Sequence, residues 1–152
     1  MGAVLRIFPL IFAVIILYNL VVFGGLALGG ESFKGPDGLP NMEALLNTVV
    51  FTIPMVSGPW AATWGTFFVA VGLFALFGEI LRSTSSDAIT ITNHALSLCV
   101  LVICLLEFVV VKGFNTSVFF YLTVMELIDV IAGFTISITN ARRDFGGTGI
   151  AL

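Results

Sequence analysis

SVFFYLTVMELIDVIAGFTISIT, residues 117–139, decides how the rest of the chain is read. At about 1.5 Å per residue it is long enough to cross the ~30 Å hydrocarbon core of a bilayer as a helix. It nevertheless carries two acids, Glu126 and Asp129. With Gly133, Ser137 and Asn140 they recur at intervals of three, four, four and three residues, which places them on one helical face. Inside hydrocarbon a polar side chain must find a partner, so this face is expected to point at other protein.

The preceding window, residues 88–111, is joined to it by the short turn KGFN and reads as an antiparallel neighbour. It carries its own polar stripe of Asn93, Ser97, Cys104 and Glu107, flanked by Thr90 and His94. The economical arrangement packs the two stripes against each other. Their depths predict that His94 and Asp129 face each other, directly or through a water. Glu107 is expected within reach of Lys112, and Glu79 is expected to pair with Arg82.

Further out, residues 59–81 and 5–28 are also mostly apolar. The apolar run of 5–28 is too long for a typical signal-peptide core, and no A-x-A site follows it, so it is expected to be retained as a helix. Asn19 within it is expected to bond across to another helix. Gly25 and Gly29, and Gly72, Ala75 and Gly78, allow close helix approach. Residues 29–58 form the long connection. Its first part, GGESFKGPDGLPN, reads as turns. Met42, Leu45, Leu46, Val49, Val50 and Ile53 then fall on one helical face, which predicts a short amphipathic helix capped by Asn41. The β-branched run TVVFTI allows a strand instead. Trp60 and Trp64 are expected as interface anchors.

Composition agrees with this reading. Of 152 residues, 59% are hydrophobic and 10% charged, and the mean hydropathy is +1.14. A soluble domain is ~25% charged and, at this size, hides only ~70% of its surface. The expected fold is therefore an all-α, integral membrane four-helix bundle forming a single domain over residues 1–152. Arg6, Arg82, Arg142 and Arg143 would lie on one side and Lys34 and Lys112 on the other, which makes the N and C termini cytoplasmic. Arg142 and Arg143 would anchor that interface. A bacterial inner membrane is the expected location.

Much chemistry is excluded. The net charge is −3 and no basic cluster exists to bind nucleic acid. Cys99 and Cys104 point in different directions on a helix, against a disulfide or a metal site. One histidine cannot ligate haem from two sides. No H-E-x-x-H, C-x-x-C, G-x-S-x-G or P-loop pattern occurs. No cofactor and no catalytic residue is expected.

The buried polar stripe, Glu126, Asp129, His94, Asn93, Ser97 and Glu107, allows three readings. It is a proton or cation relay, since two acids at i and i+3 in a dry site repel when both are ionised. It is interhelical glue. Or it docks a basic residue of another subunit. The leading functional expectation is an accessory or assembly subunit of a larger membrane complex, with lipid, other membrane subunits or copies of itself as partners. The alternative is a small proton- or cation-coupled transport protein using the acids of 117–139.

Overall fold

The structure, a computed structural model, describes residues 8–28, 33–82 and 88–146. In chain order the elements are α1 (Leu10–Leu28), α2 (Met42–Leu46), β1 (Val49–Ile53), β2 (Trp60–Thr63), α3 (Trp64–Arg82), α4 (Ala88–Val110) and α5 (Ser117–Gly146). The chain is mostly helical. Three stretches are long and apolar enough to cross a membrane: Trp64–Arg82, Thr92–Val110 and Ser117–Thr139. Helix α1 is equally apolar but contributes the shorter stretch Leu10–Gly25.

Helix α5 is central. It packs on α4, α3 and α1, and α3 packs on α1, whereas α1 and α4 leave an open seam. Each helix presents one face inward. On α1 the buried residues Ile11, Val14, Ile15, Tyr18 and Val22 follow the helical repeat. Gly72 lets α3 lie close on α5, because a Cβ there would sit 2.8 Å from Leu122 Cδ2 and 2.9 Å from Met125 Sδ. Gly78 similarly meets Leu10 of α1. The small residues therefore serve packing within the chain.

The tight turn between α4 and α5 uses Gly113 at φ 95°, a left-handed conformation that favours glycine. The Tyr18 hydroxyl holds this turn. It donates to Gly113 O at 3.2 Å and shares a 2.6 Å bond with Thr116 Oγ1. Phe68, Phe114 and Phe119 pack around the Tyr18 ring.

Two expectations are corrected. The predicted helix over 42–53 ends at Leu46, and Val49–Ile53 forms a strand. Asn41 caps the short helix as expected, accepting from Ala44 N at 3.2 Å. The β-branched run then prefers extended backbone, and it finds a partner in residues that were expected to begin the second span. Val49–Ile53 pairs antiparallel with Trp60–Thr63, with an irregularity at Val50. The mostly helical chain thus carries one two-stranded sheet among the described residues, β1 being the strand that the β-branched run allowed. The second long helix starts at Trp64 rather than at residue 59. Thr63 caps it: Thr66 N donates to Thr63 Oγ1 and Thr63 N to Thr66 Oγ1, each at 3.3 Å.

The distribution of polarity is inverted relative to a water-soluble domain. Glu79, Asn93, His94, Ser97, Thr123, Glu126 and Asp129 are buried. Leu17, Leu20, Phe74, Phe77, Leu106, Val109 and Ile131 are among the many large apolar residues left exposed.

Candidate functional site: a buried polar column

The site begins with an absence of side chain. Gly133 of α5 lies directly against the imidazole of His94, and a Cβ at this position would overlap the ring. Glycine here supplies space. It lets α4 approach α5 closely enough to enclose His94, which is 1% exposed. One turn along α4, Ser97 Oγ donates to Asp129 Oδ2 at 2.7 Å. The two polar stripes do meet, though of the two forms expected for a His94–Asp129 contact the direct one is not made. Asp129 takes the serine, and both His94 nitrogens are buried with no hydrogen-bond partner among the described residues.

Asn93 departs from expectation in another way. It turns from α5 toward α3, where its Nδ2 makes a short bond to Glu79 Oε1. Glu79 is fully buried and is the hub of the Arg82 end of the bundle. Its carboxylate accepts from Arg82 Nη2 at 2.7 and 2.8 Å, and from Leu10 N at 2.6 Å. Leu10 is the first residue of α1. A helix start offers unpaired N–H groups and a partial positive charge, so Glu79 caps α1 from a neighbouring helix. Arg82 also donates to Phe8 O at 2.7 Å. The predicted Glu79–Arg82 pair is present, within a larger cluster. These hydrogen bonds are what make a buried carboxylate tolerable.

Glu126 has no such support. It is 0% exposed, and neither of its carboxyl oxygens has a hydrogen-bond partner among the described residues. Its electrostatic neighbours are Asp129 and Glu79, and it acts in turn on the Cys104 thiol. Toward the Gly113 end, Asn19 Nδ2 of α1 donates to Glu107 Oε2 of α4 at 3.3 Å, and also to Ile15 O at 3.1 Å. Asn19 thus bonds across to another helix as expected. The expected Glu107–Lys112 pair is corrected. Helix α4 ends at Val110, and Lys112 lies 3.8 Å from Asp37 of the long connection.

Read from one end to the other, the polar groups form a column. Arg82, Glu79 and Asn93 lead to His94, then to Ser97 and Asp129, then to Glu126 and Cys104, and finally to Glu107 and Asn19. Between Asn93 and Glu107 helix α4 rises about 21 Å, most of a ~30 Å hydrocarbon core. The acids at 126 and 129 are both enclosed. Among the described residues no cluster of three or more His, Cys, Asp or Glu is placed to hold a metal ion.

The expected interface anchors lie at the surface. Trp60 on β2 and Trp64 at the start of α3 are half exposed, beside Phe51 and Phe67 respectively. Arg142 is exposed near the end of α5. The side chains of Arg143, Asn140 and Thr90, and all of Arg6 and Gly29, lie outside the described residues.

Sequence reading missed the role of Glu79 as a cap. A signal was available: α1 begins Phe8-Pro9-Leu10, with no Ser, Thr, Asp or Asn to cap it. A helix start lacking its own cap inside an apolar environment demands an acceptor from elsewhere. No protein-family model, no curated protein and no solved structure matches the chain.

Proposed function

We propose that this is a multi-pass protein of a bacterial inner membrane, with four spans and both termini cytoplasmic, whose polar column passes protons between Glu126, Asp129 and His94. The observation that carries the reading is Glu126, enclosed with both oxygens unpartnered. A charged side chain at the centre of a membrane helix costs on the order of 3 kcal/mol on insertion scales, and such residues mark ion or proton pathways. A side chain serving only to hold helices together would gain more by hydrogen bonding, as Asp129 does with Ser97. The inverted polarity supports lipid as the surrounding medium, since apolar side chains cover the outside of the bundle. Four spans require α1 to cross with the three longer helices, and its uncharged, largely apolar sequence, with the Asn19 side chain bonded to Glu107, supports that.

In this scheme a protonated carboxyl donates its proton and a neighbouring carboxylate or imidazole accepts it. Glu126 and Asp129 stand at i and i+3 on α5, and His94 leads from them toward Glu79 and Arg82. Water entering transiently bridges the gaps. The test is proton uptake into liposomes containing the purified protein and a pH-sensitive dye, driven by an imposed membrane potential. Glu126→Gln is expected to abolish uptake and Glu126→Asp to slow it. Equal uptake by wild type and Glu126→Gln would overturn the proposal.

An accessory or assembly subunit is the second reading. The open seam between α1 and α4 favours it. The seam is a groove of about 310 Å³, walled by Phe12, Ile16, Phe23 and Ile103 with Asn19 and Glu107 on its floor. A partner's membrane helix would bind there rather than at the enclosed acids. Ile103→Trp is then expected to abolish co-purification of that partner in mild detergent, and Asp129→Asn to leave it intact.

A further inference from the structure

The groove between α1 and α4 has an acid on its floor and no base to answer it. On α1, Phe12, Ile16, Asn19 and Phe23 recur at intervals of four, three and four, and on α4 Ile103 and Glu107 are four apart, so each helix turns one face to the seam. Glu107 is half-buried there, with Oε2 accepting from Asn19 Nδ2 at 3.3 Å. Its Oε1 has no hydrogen-bond partner among the described residues. No lysine, arginine or histidine lines the groove. Lys112 lies by Asp37 instead, and Arg82 pairs with Glu79 at the other end of the bundle. A carboxylate that faces an apolar groove without a counter-charge is costly. A cation that brings both a charge and its own apolar cover removes that cost.

We propose that this groove binds a lipophilic organic cation, an ammonium or phosphonium whose charge lies against Glu107 and whose apolar groups fill the seam. Its volume of about 310 Å³ suits such a molecule. Small-molecule sites are typically ~300–1,000 Å³, with mostly apolar walls and a few polar groups that fix orientation. Phe12 and Phe23 add aromatic rings to the wall, and the face of an aromatic ring attracts a cation. The same chemistry disfavours other small occupants. Calcium takes about 6–8 oxygen ligands, and only the Glu107 and Asn19 side chains bring oxygen to the groove. An anion meets a like charge, and a lipid tail makes no use of the carboxylate. Glu107 stands one turn from the end of α4, so a cation resting near a membrane surface reaches it sideways through the seam. Binding here does not depend on proton passage through Glu126.

The test is equilibrium binding to the purified full chain in detergent, measured against empty micelles. The probes are tetraphenylphosphonium and tetraphenylborate, which share a shape and differ in the sign of their charge. Wild type is expected to bind the cation saturably and the anion not at all. Glu107→Gln keeps an acceptor for Asn19 and is expected to weaken cation binding about tenfold or more. Glu107→Asp keeps the charge and is expected to bind more tightly than Glu107→Gln. Ile103→Trp fills the groove and is expected to abolish binding. Glu43→Gln removes an equal charge from the exposed surface of the long connection and is expected to bind as wild type does. No saturable binding by wild type overturns the proposal and leaves the groove to a partner's helix. Equal binding of cation and anion overturns it in favour of a lipid tail. Undiminished cation binding by Glu107→Gln overturns it as well.

Discussion

Replacing Glu126 by methionine is expected to make the protein more stable. The reason lies in the two unpartnered carboxyl oxygens. Leaving a buried polar group unsatisfied costs about 1–3 kcal/mol. Methionine has nearly the same length, carries no obligatory donor or acceptor, and adapts to irregular space. Leu122 and Met125 on the same helix already belong to the apolar core. Some of the gain is offset by imperfect packing of the thioether, so a net gain of about 1–2 kcal/mol is expected. For a chain of this size that corresponds to a rise in unfolding midpoint of about 2–8 °C. The buried thiol of Cys104 provides the assay. In a Cys99→Ser background, a thiol-reactive dye reports opening of the bundle as temperature rises. A fall in midpoint for Glu126→Met would refute the reasoning, because it would mean that the carboxyl has partners worth more than its desolvation cost.

Two further outcomes follow from the geometry. Glu79→Ala removes the acceptor shared by Arg82, Asn93 and Leu10 N, so a loss of about 2–3 kcal/mol is expected in the same assay, with faster amide exchange at the start of α1. Gly133→Ala places a methyl group in the His94 ring and is expected to cost about 1–3 kcal/mol. Adding His94→Ala is expected to recover most of that loss, and additive losses would count against the contact.

The parts of the fold legible in the sequence were those where one local period dominates. The polar spacing on 117–139 and on 88–111 required two helices meeting along those faces, and Ser97 and Asp129 do meet. The misreading of 42–53 has a specific cause. Met42 and Leu46 are genuinely buried helical residues, and Val49, Val50 and Ile53 continue their spacing by coincidence. The strand they form is decided by pairing with Trp60–Thr63, a partner that local periodicity cannot reveal. Spacing along the helices brings His94 and Asp129 to neighbouring turns but not opposite each other: the His94 ring lies against Gly133, one turn beyond Asp129 on α5, and Asp129 meets Ser97 instead. Asn93 shows that a stripe read from spacing is wide enough to serve two neighbours, and α3 claims one edge of it.

The claim beneath all of this is that the polar column is interior and that lipid covers the outside. Residue-level mapping with a lipid-soluble photoactivatable carbene probe in native membranes tests it most directly. Labelling is expected on Leu17, Leu20, Phe74, Phe77, Leu106, Val109 and Ile131, which are exposed, and none on Glu79, His94, Glu126 or Asp129, which are enclosed. Strong labelling of the four polar residues, with the seven apolar ones spared, would contradict it.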